Sequence, residues 1–174
     1  MPAALRLTDE LRVLYWNCNG IGADWDGKTS RKLEMLKAGN RYDAIAIAEH
    51  HIRAATPPLD DWVFSDPASP TDTHAGAAIW IAPRLQATVR AKGKEGARLA
   101  WFKFQTNRGN LIIAIQYLAH MFRVNPSRED CFIITEQFLR DKVSDSDRLL
   151  LFMDANSRMA RLQLPVTGRY CAHE

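Results

Sequence analysis

Glu49 follows the apolar run Ala44–Ala48 (AIAIA), and Asp154 follows Leu149–Met153 (LLLFM), with Asn156 two residues on. Asn17 and Tyr117 stand in the same way behind Arg12–Trp16 (RVLYW) and Leu111–Gln116 (LIIAIQ). A carboxylate that closes an apolar run is costly unless it meets water, a partner or a cation. Amide and phenol groups beside it add hydrogen-bond donors without adding charge. Such a set suits a hard, oxygen-preferring cation together with a bound phosphate group. In layered α/β proteins reactive groups gather just past the carboxyl ends of strands, where a crevice opens. The repetition points to a site.

The elements that must position these residues are legible in outline. Asn19-Gly20-Ile21-Gly22 reads as a tight turn after the first strand. A helix is predicted over Thr29–Ala38, with Leu33 and Leu36 inward and Gly39-Asn40 as its stop. The Ala44–Ala48 strand follows at once, so strand, helix and strand form a parallel pair with a crossover. Pro, Ser, Thr and Asp mark loops at Ala54–Pro58 and Asp66–His74, flanking a short strand at Trp62–Phe64. Gly76–Ala82, Gln86–Ala91, Arg98–Gln105 and Leu111–Tyr117 read as a meander, with turns at Pro83, at Lys92–Gly96 and at Asn107–Asn110. Which face of Arg98–Gln105 is buried stays open, because its large apolar residues do not alternate cleanly. A second helix is predicted over Ser127–Val143. Ser127–Asp130 fits a capping box, and Cys131, Ile134 and Phe138 share one face. Another strand, Arg148–Met153, follows. The expected fold class is α/β: a layered α/β sandwich of mixed β-sheets flanked by helices, with residues 1–10 as an extension and 11–174 as part of a domain.

Composition narrows the function classes. Hydrophobic residues make up 47% and charged residues 25% of 174, with a net charge of +3. That balance is ordinary for a soluble domain and permits a polyanionic partner without requiring one. The three cysteines, Cys18, Cys131 and Cys171, are odd in number and far apart, which speaks against a disulfide framework and for a reducing, intracellular setting. Cys171 and His173 have no second ligand pair to make a zinc site. No run approaches the ~18 apolar residues of a membrane span, and no signal-peptide core stands at the start.

Four motifs taken together carry a resemblance. Leu14–Ile21 (LYWNCNGI), Ala46–His51 (AIAEHH), Ala114–His120 (AIQYLAH) and Phe152–Asn156 (FMDAN) occur in the order and spacing of the endonuclease/exonuclease/phosphatase superfamily. This is the fold of pancreatic-type deoxyribonuclease and of apurinic endonucleases. The Trp16-Asn17 opening and Gly168-Arg169-Tyr170 look most like endonuclease domains of retrotransposons without long terminal repeats.

The resemblance implies a Mg2+-dependent phosphodiester hydrolase, with Mn2+ as a substitute ion. It implies DNA as the nucleic-acid partner, no membrane, and an intracellular location that includes the nucleus. By the same resemblance Glu49 and Asn17 belong to the metal side, and Asn17 braces a metal-bound carboxylate. Asp154 orients the attacking water, while Tyr117 and Asn156 donate to phosphate oxygens. His50 and His51 are expected to flank rather than ligate, since imidazole is a poor magnesium ligand. Arg123, Arg158 and Arg161 read as solvated charge.

The sequence also departs from the pattern. Met153 replaces a glycine before the Asp, Tyr117 lacks its proline two residues on, and Asn19 stands where some apurinic relatives have Asp. The family's late Asp and its Asp-paired His have no match, so the chain reads as the first two thirds or so of the family's domain and as weak or inactive by itself. The alternatives are a non-catalytic relic or nucleic-acid-binding module of the same fold, and a phosphatase acting on a phospholipid head group.

Overall fold

The computed structural model describes residues 11–21, 33, 34, 37, 41–52, 61–67, 75–119 and 128–154. The eight strands among these residues form two four-stranded mixed sheets packed face to face. In the first, β1 (Val13–Asn17) runs parallel to β2 (Ala44–Ala48), which pairs antiparallel with β4 (Ala77–Ile81), and β4 pairs antiparallel with β3 (Trp62–Phe64). In the second, β5 (Val89–Glu95), β6 (Leu99–Thr106) and β7 (Gly109–Tyr117) form an antiparallel meander, and β8 (Arg148–Asp154) joins β7 in parallel. A short helix α1 (Pro83–Gln86) follows β4, and α2 (Arg128–Lys142) precedes β8. Among the described residues no helix is long and apolar enough to cross a membrane.

Strand alternation sorts the side chains into layers. Ala44, Ala46 and Ala48 of β2 point between the sheets, while Ile45 and Ile47 point outward. The small inward residues lie beside the larger Ile79 and Ile81 of β4. From the second sheet Phe102, Phe104, Ile113 and Ile115 complete this central layer. Interdigitation of large and small residues is how such layers reach crystal-like density. The open question about β6 resolves because both of its faces are buried: Ala100, Phe102 and Phe104 face the other sheet, and Leu99 and Trp101 face Phe138 of α2.

Two expectations need correction. The four strands from Gly76 to Tyr117 are not one meander, because β4 belongs to the first sheet and only β5, β6 and β7 run on consecutively. The glycines and charges at Lys92–Gly96 are not all turn either, since β5 continues to Glu95 and the turn begins at Gly96. Gly93 is required inside that strand because a β-carbon there would stand 2.8 Å from the indole of Trp101. Sequence composition reads a glycine as a turn; here it makes room for a neighbouring ring.

The predicted parallel pair β1–β2 is present, and Leu33, Glu34 and Lys37 of the first predicted helix are helical. Residue Ser127 of the expected capping box lies outside the described residues.

Candidate active site

The carboxyl ends of β1 and β2 in one sheet and of β7 and β8 in the other open at the same end of the sandwich. The link is direct: Asn17 Nδ2 donates to Asp154 Oδ2 at 2.5 Å, across 137 positions of sequence. Register and alternation bring this about. Val13 and Phe152 pack on the central layer, so two residues on in β1, and again two further on, Tyr15 and Asn17 repeat the inward face of Val13, as Asp154 repeats that of Phe152. The rings of Tyr15 and Phe152 stack 6.0 Å apart and 9° from parallel, one rung below the Asn17–Asp154 bond. Tyr117 lies beside Asp154 in the β7–β8 register, and Leu118 N–H donates to the Asp154 carbonyl at 2.9 Å.

Glu49 is presented by a locked turn. Its N–H donates to the Gly76 carbonyl at 2.8 Å, and its own carbonyl accepts from Gly20 N–H at 2.7 Å. The Cys18 thiol also donates to that carbonyl, at 3.2 Å. The residue is held at φ 57°, and Asn19 and His51 nearby have φ of 45° and 59°. A left-handed conformation in a non-glycine residue costs roughly 1–2 kcal/mol, and such strain clusters at functional sites. Gly76, with φ +141°, is the complement of this turn, because a β-carbon there would lie 2.6 Å from the His50 ring.

His50 is 1% exposed. Its Nδ1 accepts from Ile52 N–H at 3.0 Å, which leaves the ring proton on Nε2, 3.4 Å from Ser65 Oγ. Burial, with the neighbouring His51 adding to it, holds this imidazole neutral and pushes its pKa down to about 3. Both nitrogens serve the turn.

Tyr15 stands two residues before Asn17 in β1 with its ring against Phe152 of β8. The Tyr15 hydroxyl is held well above its usual range by burial, by the charge of Asp154 and a hydrogen bond to it, and by the charge of Glu49.

The expected residues fall out as follows. Asn17, Glu49, Tyr117 and Asp154 are brought to one end of the sandwich. Asn17 commits its amide nitrogen to Asp154 and its oxygen to Asn19 N–H at 2.9 Å. Tyr117 is 4% exposed and packs in the central layer, with the Arg98 guanidinium 5.0 Å from its ring. Asn156, Arg123, Arg158, Arg161, His173 and the Gly168–Tyr170 segment lie outside the described residues. Tyr15 was legible only as a strand residue, although its place two residues before Asn17 is the signal that puts it on the same face.

The donors are carboxylate, amide and phenol, which suit Mg2+. Among the described residues no three His, Cys, Asp or Glu side chains are grouped to hold a metal ion.

No protein-family model matches the chain, and no curated protein matches it by sequence. Solved structures do match. An AP endonuclease from Archaeoglobus fulgidus superposes with a TM-score of 0.56 at 15% identity, over 83% of this chain and 57% of that one. D. rerio TDP2 complexed with a single-strand DNA product gives 0.52 at 14% identity, over 86% and 62%. The endonuclease domain of TRAS1, a telomere-specific non-LTR retrotransposon, gives 0.50 at 15% identity, over 87% and 61%. The chain thus spans about six-tenths of the length of these three proteins. The class this defines is a fold: the two-layered mixed-sheet sandwich of endonuclease/exonuclease/phosphatase-type proteins.

Proposed function

We propose that residues 11–174 form part of a Mg2+-dependent phosphodiester hydrolase domain, a nucleic-acid endonuclease of retroelement type acting on DNA in an intracellular setting. The observation that carries this is the Asn17–Asp154 bond joining the two sheets, with Asn17 paired to Ala48, the residue before Glu49. The choice of nucleic acid is supported by what the neighbours are: a retrotransposon endonuclease, an AP endonuclease and a protein holding a DNA product.

In this reading Glu49 holds the ion, and Asn17 supports it indirectly by bracing Asp154. A bound Mg2+ or Mn2+ supplies charge stabilisation at the phosphate. Asp154 accepts a hydrogen bond from the attacking water and takes its proton as the new P–O bond forms and the leaving P–O bond breaks. Tyr117 and Asn156 donate to the phosphate oxygens as negative charge develops. A general acid for the leaving oxygen is not supplied by His50, whose two nitrogens are engaged in the core. The polypeptide of residues 1–174 is expected to bind the ion through Glu49.

Thermal unfolding with and without Mg2+ tests the first half. Wild type should gain stability with added ion by mass action, and Glu49→Ala should not. An identical gain in both proteins would remove Glu49 from the site. Nicking of supercoiled plasmid tests the second half: Mg2+-dependent nicking should be lost in Glu49→Ala and in Asp154→Asn, and nicking unchanged in both variants would overturn the assignment of these two carboxylates.

A further inference from the structure

Arg98 is 2% exposed, although a guanidinium stays ionised inside a protein. A charge taken out of water costs free energy, and an apolar side chain of similar volume would fill the same space at lower cost. Arg98 stands just before β6, and alternation through Leu99 gives it the inward face of Ala100. There it engages Tyr117 by backbone and side chain together. The Tyr117 N–H donates to the Arg98 carbonyl at 2.9 Å, and Arg98 Nη1 donates to the Tyr117 carbonyl at 3.4 Å. The guanidinium carbon lies 5.0 Å from the centroid of the Tyr117 ring. Ala48 and Ala77, paired in the first sheet, belong to the same layer, and their small side chains leave it room for a phenol and a guanidinium.

A cation against an aromatic face is attracted by the electrons of the ring. The attraction grows as negative charge gathers on the phenol oxygen, which makes the hydroxyl a stronger donor. A planar guanidinium that also grips the backbone of the same residue holds the ring in one orientation, and an ammonium lacks that fork. We propose that Arg98 is a positioning residue for Tyr117: its buried guanidinium fixes the ring at the carboxyl end of β7 and strengthens the hydroxyl as a donor to a substrate phosphate oxygen. This rests on the role proposed above for Tyr117, and Arg98 itself touches no substrate.

The experiment uses the whole 174-residue chain with tyrosine labelled with carbon-13 at the ring carbon that bears the hydroxyl. The chemical shift of that carbon reports the electrostatics and hydrogen bonding of the phenol, and the Tyr117 resonance is the one missing from Tyr117→Phe. Titration with inorganic phosphate in the presence of Mg2+ measures how well the donor is used. Arg98→Met should move the Tyr117 resonance and weaken phosphate binding about 5-fold or more. Arg98→Gln keeps a donor for the Tyr117 carbonyl but no charge; it should behave in the same way, and it takes the place of Arg98→Met if that variant does not melt cooperatively. Arg98→Lys keeps the charge and should restore part of both signals. Added to Tyr117→Phe, the loss of the Arg98 charge should leave phosphate affinity nearly unchanged.

An unmoved Tyr117 resonance or wild-type phosphate affinity in the uncharged variants overturns the proposal. So does an equal loss in the Tyr117→Phe background, because Arg98 would then act otherwise than through that ring. Arg98→Lys no better than the uncharged variants denies the charge its part and leaves Arg98 as a structural staple. If Tyr117→Phe binds phosphate as wild type does, or wild type binds none, the reading of Tyr117 fails and takes this proposal with it. Loss of binding in Tyr117→Phe with none in the uncharged Arg98 variants removes the role of Arg98 alone.

Discussion

Asn17 is the residue on which the two sheets are registered at their open end. Its amide has both atoms engaged, one by Asp154 and one by the Asn19 N–H. Replacing it with alanine removes a hydrogen bond to a charged group in an exposed setting, worth about 1 kcal/mol. Asn17→Asp places a second negative charge against Asp154 and should cost more than the alanine variant. That excess should shrink as salt screens the pair. Urea unfolding at low and high salt separates the two effects, and equal cost for both variants at every salt concentration would deny the contact. His50 and Gly76 illustrate a different residue-scale lesson. A histidine beside the strongest metal-ligand candidate is drawn into the core by a glycine that makes room for it, and its chemistry is spent on the turn.

At the scale of elements, α2 shows how packing selects one side of a helix. Phe138 is 1% exposed and packs with Leu99 and Trp101, whereas Phe132 on the same helix is 48% exposed. Phe138→Ala is expected to cost about 3–5 kcal/mol, since it leaves a cavity as well as losing burial. Phe132→Ala should stay within about 0.5 kcal/mol of wild type. Denaturant midpoints at unchanged slope would check both, and comparable losses would mean that the helix is rotated from the position described. The inward face of α2 also carries a polar link: Thr135 Oγ1 donates to Gln116 Oε1 at 2.6 Å, and Gln116 Nε2 donates to the Cys131 carbonyl at 2.8 Å. Gln116 stands just before Tyr117, so this link fixes α2 against the end of β7 that reaches the site.

For the molecule as a whole, the end of the sandwich opposite the site is held by a buried carboxylate. Burial would raise the Asp147 pKa, but hydrogen bonds from Lys103, the Ser144 backbone and Asn110 outweigh it and hold the group below its ordinary range. A carboxylate whose folded pKa is depressed contributes stability that is complete above its unfolded pKa, about 3.9. That contribution is lost as pH falls from there through the lower folded value. Thermal midpoints followed from pH 7 to pH 2 should drop in that acid window. Asp147→Asn should melt lower than wild type at pH 7 and show a shallower acid decline. A wild-type acid decline no steeper than that of the variant would contradict the assignment.

Much of this was legible before any coordinates, for definite reasons. β2 and β3 were read with their observed ends, because AIAIA and WVF are uninterrupted apolar runs that only a strand buried on both faces can use. Glu49 and Asp154 stood out because a carboxylate after such a run demands an explanation. The role of Gly93 was not legible, since nothing local distinguishes a glycine at a turn from one lying under Trp101. Nor could local pattern say that β4 leaves the meander for the other sheet, because strand partners are chosen by distant segments.

By itself, then, the sequence determined which side chains have site-forming chemistry and which strands present them, since apolar runs and their terminal polar residues are local properties. Only the tertiary structure decided that Asn17 meets Asp154, that the Tyr15 ring stacks with Phe152 across the sheets, and that His50 is withdrawn into the core. Those outcomes depend on how one sheet is registered against the other. That registration is set by the packing of Val13, Phe152 and the residues between the layers, an interaction summed over the whole chain.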